Sequence, residues 1–164
     1  IDLGAMTTKL YLYAEEQLVA AHVLELGGDW WTEQVIAALR QEAQLEVGWQ
    51  TAEQLKMVAV RYASKEQKHT VQGKDVISGL PVTRVVNERI FGPGANQLAQ
   101  QLLTGFAELC RSASPDLVAR ILEQGIYLTG GSSQLVGLRQ LLQDRLKLPV
   151  QLGQYPQHEV MKGL

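Results

Sequence analysis

The segment Gly125-Ile-Tyr-Leu-Thr-Gly-Gly-Ser-Ser-Gln-Leu-Val-Gly-Leu138 decides how this 164-residue chain is read. A short apolar run, Ile126 to Leu128, ends in the pair Gly130-Gly131. Ser132 and Ser133 follow, then an apolar-periodic stretch from Leu135 to Leu146. That order spells a strand, a tight glycine turn, and a helix over 134–146 with a hydroxyl cap at its start. Glycine lets backbone approach a ligand closely. A helix N-terminus presents unpaired N–H groups at the positive end of its dipole. A nucleotide suits such a place. Gly-Gly turns are common, however, and the plainer reading of this stretch alone is a strand-to-helix turn that binds nothing.

A second segment shifts the balance. The chain opens with Ile1-Asp2-Leu3-Gly4-Ala5-Met6-Thr7-Thr8-Lys9, followed by Leu10-Tyr-Leu-Tyr13. An Asp at the end of a short strand, a small-residue turn and two threonines lead into an alternating strand. This places a carboxylate and two hydroxyls at a hairpin tip. The carboxylate suits orientation of Mg²⁺ through water, and hydroxyls with turn amides suit phosphate. By itself it is also only a polar hairpin.

In this order the two segments resemble the actin-like ATPase superfamily, and the MreB cell-shape proteins within it. Asp2-Leu3-Gly4 through Thr8 is similar to the family's second phosphate loop, and Gly125 to Leu138 to its adenosine loop. Leu26-Gly-Gly-Asp29 opens a helix as in the bacterial actins. Thr51-Ala-Glu-Gln-Leu-Lys56 resembles the Glu-x-x-Lys helix that flanks the adenosine. Val71-Gln-Gly-Lys-Asp-Val-Ile-Ser-Gly-Leu-Pro81 and Ser114-Pro-Asp-Leu-Val-Ala119 resemble MreB specifically.

The resemblance implies an α/β fold. A ribonuclease-H-like, actin-type subdomain would comprise residues 1–27 and 85–164, with a smaller α+β subdomain, residues 28–84, inserted in it. It implies ATP with Mg²⁺ as cofactors. Asp2 would be the catalytic carboxylate and would orient the metal through water. Gly4, Thr7, Thr8 and Lys9 would lie near phosphate, Glu53 and Lys56 near the ribose or base, and Gly130, Gly131 and Ser132 on the adenosine side. It also implies self-association into filaments and cell-shape or membrane-linked partner proteins. The expected location is cytoplasmic, extending to the inner face of the membrane. The alternatives are an FtsA- or PilM-type relative and an actin-fold scaffold that has lost turnover.

The departures bear on hydrolysis more than on fold. The family's loop carries glycines where this chain has Ala5 and Met6, and an acid where it has Lys9. A Met in a phosphate turn limits backbone approach and disfavours positive φ. Lys9 can pair with phosphate but is no base at neutral pH. The resemblance is to the C-terminal half of the family alone, since no counterpart of the first phosphate loop is present. The expectation is one half of a longer protein, able to complete an ATPase site only with the other half.

Composition describes a globular chain, 46% apolar and 20% charged, with net charge −2. The scattered Lys and Arg argue against nucleic acid or a polybasic anchor. No apolar run approaches the roughly 20 residues that span a bilayer, and no signal-peptide pattern is present. The lone Cys110 excludes an internal disulfide and reads as a buried thiol beside Phe106. His22, His69 and His158 have no partner at ligand spacing. There is no nucleophile elbow and no P-loop.

Periodicity and punctuation predict the remaining elements. Residues 1–26 form a meander turning at Glu15-Glu16-Gln17. Asp29 caps a helix to about Gln44, and Thr51 caps another to about Tyr62. Strands over 68–86 turn at Gln72-Gly73 and Ser78-Gly79. A short helix from Asn87 is broken at Gly92-Pro93-Gly94, and a longer one runs from about Ala95 to Ser112 on a Leu98, Leu102, Phe106, Leu109 stripe. Pro115 starts a helix that ends before Gly125. A strand covers 149–152 and a last short helix 157–163. Trp30-Trp31 point roughly 100° apart on a helix. They mark either an exposed partner contact or a seam between subdomains.

Overall fold

A computed structural model describes residues 1–59, 67–153 and 156. The expected ends of the second helix near Tyr62 and the helix at 157–163 lie outside the described residues, as does His158. The chain opens with strand β1 (Asp2–Leu3), β2 (Thr8–Ala14) and β3 (Gln17–Leu24), paired antiparallel in that order. Strict alternation builds β2: Thr8, Leu10 and Leu12 are buried while Lys9, Tyr11 and Tyr13 face out. Glu15 and Glu16 both adopt positive φ, the conformation a tight two-residue hairpin demands.

Helix α1 (Gly28–Ala43), β4 (Leu45–Glu46) and α2 (Trp49–Ala59) follow, then β5 (Lys68–Asp75) and β6 (Pro81–Asn87). β4, β5 and β6 form a second antiparallel sheet. The hairpin turns only once, at 75–80. Asp75 accepts from Ile77 N at 3.1 Å, Ser78 N at 2.7 Å and Ser78 Oγ at 2.9 Å, and pairs with Arg84. The Ser78 amide and hydroxyl lead these interactions. With Arg84 and the Ile77 amide they outweigh desolvation and hold the carboxyl down at about 2. Gly79, at φ +71, closes the turn. The turn expected at Gln72-Gly73 is instead continuous β5. Gly73 is there for close packing, since a Cβ on it would stand 2.5 Å from Glu46 O.

A 3₁₀ turn over Glu88–Phe91, capped by Asn87 accepting from Arg89 N at 3.0 Å, runs directly into α3 (Gly92–Arg111). The expected break at Gly92 does not occur. Gly92 is right-handed helical, and Pro93 sits in the first turn, where its missing N–H costs nothing. α4 (Pro115–Gln124) starts as expected, with Ser114 Oγ accepting from Leu117 N. β7 (Ile126–Leu128) leads to a 3₁₀ turn at Gly131–Gln134, α5 (Leu138–Leu146) and β8 (Val150–Leu152). β7 and β8 pair in parallel.

The join between β1 and β7 unites these elements. Leu3 N donates to Thr129 O at 2.8 Å and Thr129 N to Ile1 O at 2.8 Å, a parallel bridge of Asp2 with Thr129. The resulting strand order is β3-β2-β1-β7-β8. One continuous core runs from Leu3, Leu128 and Leu138 through Leu98 and Leu102 to Trp31, Val35, Leu39, Leu45 and Val71. α1 thus packs on both regions. Trp31 is buried against Gly94, and Trp30, stacked on it at 6.4 Å, is half-buried. Both rings therefore belong to the core packing, and neither is an exposed contact. Cys110 is half-buried rather than buried, and desolvation pushes its thiol pKa up.

These contacts predict opposite outcomes at two glycines. Gly73→Ala should cost about 2 kcal/mol or more, because the added methyl meets backbone. Gly92→Ala, where a Cβ meets nothing within 4 Å, should be neutral or stabilise by up to about 1 kcal/mol. Urea melts of the two variants check both.

Candidate functional site: two loops meeting at a glycine helix start

The turn after β1 is closed by Gly4 N donating to Thr7 O at 3.0 Å. Its carbonyls then cap the start of α1: Gly28 N donates to Gly4 O at 2.9 Å and Asp29 N to Ala5 O at 2.8 Å. Two amides that a helix start leaves without partners are thereby satisfied by backbone from far away in sequence. The N-cap is Gly27, not Asp29 as expected, and no side chain caps the helix. Only glycine fits there. A Cβ at Gly27 would lie 2.4 Å from Ala5 O, and one at Gly28 would lie 2.5 Å from Ser132 Oγ.

The second loop arrives from β7. Gly130, at φ +85, lies against Asp2, whose Oδ1 would be 2.5 Å from a Cβ on that glycine. Ser132 Oγ donates to Gly4 O at 3.3 Å, bridging residues 128 apart. The serines do not cap a helix at 134. Gly131–Gln134 form a 3₁₀ turn, Ser133 Oγ bonds back to Gly130 O at 2.7 Å, and α5 starts only after Gly137 at φ +90. Gly137 takes the left-handed conformation, so the helix cannot run back through it. Gly131 is exposed, and a Cβ on it would meet nothing within 4 Å.

The third component is α2. It begins at Trp49, so Thr51 lies inside it rather than capping it. Lys56 is buried, with its ammonium 2.5 Å from Glu53 Oε1 and 3.3 Å from Gly28 O. Thr32, also buried, donates to Glu53 Oε1 and lies 3.0 Å from Gly28 O. Burial opposes ionisation of Glu53. The hydrogen bonds from Lys56 and Thr32 and the Lys56 charge outweigh it and hold the carboxyl below its ordinary range.

Of the expected site residues, Gly4, Lys56 and Ser132 therefore lie against Gly28, Glu53 is bonded to Lys56, Asp2 and Gly130 lie against each other on the adjoining strands, and Gly131 is exposed. Thr7 closes the first turn. Lys9 is exposed on the sheet face, paired across strands with Asp2. Thr8 is turned inward, fully buried, and donates to Leu26 O at 2.8 Å. Its hydroxyl fixes the approach to Gly27. Thr32 was not anticipated. Its signal was a hydroxyl on the otherwise apolar stripe of Trp31, Val35 and Leu39.

An antiparallel meander continued by parallel strands, with two loops converging on a glycine helix start, is the actin-type arrangement. MreB5 of Spiroplasma citri bound to AMPPNP superposes with a TM-score of 0.90 at 21% identity, over 99% of this chain and 49% of that one. The MamK double helical filament gives 0.75 at 22% identity, over 95% and 49%. The MreB/Mbl protein family model matches residues 1–164, and the chain belongs to that family. Cell shape-determining protein Mbl of Bacillus subtilis (strain 168) is 27% identical over 165 residues, covering 99% of this chain and 50% of the relative. The chain spans about half the length of the curated relatives it matches.

The Glu53 carboxyl gives a pH prediction. Its folded pKa is depressed, so its stabilising contribution is present above the ordinary Glu range and is lost as pH falls through the folded value. Carbon-detected titration of the Glu53 carboxyl should show a midpoint below that of an unstructured peptide, and Lys56→Met should raise it.

Proposed function

We propose that this chain is the C-terminal nucleotide-binding half of an MreB-type cytoskeletal ATPase, which assembles into filaments that act in cell-shape control. Residues 1–27 and 85–164 form its core subdomain and residues 28–84 the inserted one. The observation that carries the reading is the meeting of three separate segments at Gly28. The turn after β1, the Gly130–Ser132 loop and the Glu53–Lys56 pair converge there with open space above Gly131. Family membership supports it, as do the AMPPNP on MreB5 and the filament formed by MamK. Among the described residues no helix is long and apolar enough to cross a membrane. In this reading membrane-linked partners act from the cytoplasmic side.

The residues present fit ATP in charge and shape. Lys56 supplies a fixed cation beside an acceptor carboxylate, and the bare backbone of Gly131 leaves room for a flat base. Thr7 and Lys9 would lie near the phosphates, while Thr8 anchors the turn from within. Asp2 would orient Mg²⁺ through water, and the metal would neutralise phosphate charge. Met6, 76% exposed in the turn, and Lys9 beside Asp2 favour ground-state binding over activation of water.

Calorimetry should find ATP binding weak or undetectable for this half and stronger for the full-length protein. In the latter, Gly131→Val should leave the fold intact, since a Cβ there has open space within 4 Å, yet weaken ATP by about tenfold or more. Unchanged affinity would remove Gly131 from the site, and absence of any ATP binding would remove the nucleotide reading.

Turnover provides a separate check. The full-length protein should release phosphate slowly, and Met6→Gly with Lys9→Glu should accelerate it. A rate no faster in the double variant would mean that these residues do not limit catalysis.

A further inference from the structure

The geometry points to Thr32 as a positioning residue that orients Glu53 and so makes the site discriminate ribose from deoxyribose; this rests on the nucleotide reading above. Thr32 sits one turn into α1, fully buried, four residues from Gly28. Its hydroxyl has one proton and two acceptors in reach, Gly28 O and Glu53 Oε1. The carboxylate is the nearer and the charged one, so the proton belongs there. Lys56 approaches the same oxygen from the next turn of α2, and its ammonium also reaches Gly28 O. Oε1 of Glu53 is therefore held by two donors from two helices.

That pinning has a consequence for the other oxygen. The Glu53 side chain is 38% exposed, and with Oε1 engaged, Oε2 is the atom left to accept from a ligand. A carboxylate fixed at one oxygen presents the other in a set direction, which suits the paired hydroxyls of a ribose. Lys56 is joined to Glu53 on the same helix, by an i,i+3 pair, and reaches α1 only through the long 3.3 Å bond to the Gly28 carbonyl at its first residue. Thr32 is the donor that bonds the Glu53 carboxylate itself from α1. Because α1 begins on the Gly4–Ala5 carbonyls, it also ties Glu53 to the loop proposed to face phosphate.

The test measures the ratio of ATP to 2′-deoxy-ATP affinity in the full-length protein. Thr32→Val keeps the side-chain shape and removes the donor, Thr32→Ala is a second removal, and Thr32→Ser keeps the hydroxyl. The wild type should prefer ATP by about tenfold, the scale of one hydrogen bond to a charged acceptor. Thr32→Val and Thr32→Ala should bring the ratio to near one, mainly through weaker ATP binding, and Thr32→Ser should keep the wild-type ratio. A merely structural threonine would weaken both nucleotides alike and leave the ratio unchanged, which would overturn the inference. So would a wild type that binds both nucleotides equally well. A wild type that binds neither would overturn the nucleotide reading itself.

Discussion

The structure turns on backbone docking. The first two amides of α1 donate to the carbonyls of Gly4 and Ala5, and the Gly27-Gly28 pair is what lets the two segments come that close. Any side chain at either position would meet backbone or Ser132 within 2.7 Å. Everything near the site depends on this contact. It sets the direction in which α1 leaves the sheet, and with it the place of Trp31 in the core. It also sets Thr32 beside Glu53 and the Gly28 carbonyl beside Lys56. The energetic logic is that of a capped helix whose cap comes from another loop, so that secondary structure and tertiary closure form together.

Local pattern carried the elements well where burial is one-sided. β2 alternates cleanly because one face is core and the other is not. α3 carries its Leu98, Leu102 and Leu109 stripe, and Ser114-Pro115 announces α4 through a side-chain cap. The misreadings share a different cause. Asp29, Thr51 and Ser132 look like caps, yet α1 is capped by the Gly4 and Ala5 carbonyls, Thr51 lies inside α2, and Ser132 lies in a 3₁₀ turn ahead of Gly137. Gly73 looks like a turn but makes room for β4, and Gly92 looks like a break but continues a helix. Glycine signals that a side chain is absent; which neighbour requires the space is a tertiary fact.

The candidate site was legible as a set of segments rather than as a geometry. Resemblance in order grouped Asp2, Gly4, Glu53, Lys56, Gly130 and Ser132; the β1–β7 join sets the first and last of these segments side by side, and α2 brings the charged pair to Gly28. Nothing local told that Thr8 faces inward or that Thr32 completes the charged pair. Both are decided by which face of an element meets a neighbour. The same reasoning separates Gly130 from Gly131: one is wedged against Asp2 and the other stands open, although they are adjacent and identical in chemistry.

The β1–β7 join also has a bearing on how the chain matures. The meander of β1, β2 and β3 closes on itself within the first 24 residues. The far edge of β1, however, finds its partner only in Tyr127 and Thr129. During synthesis, at roughly 5–20 residues per second, that edge waits on the order of ten seconds for its mate to emerge. Over that interval Ile1 to Leu3 present an unsatisfied strand edge of the kind that pairs promiscuously. Asp2, in the middle of that edge, is the charge that blunts it until β7 completes the sheet.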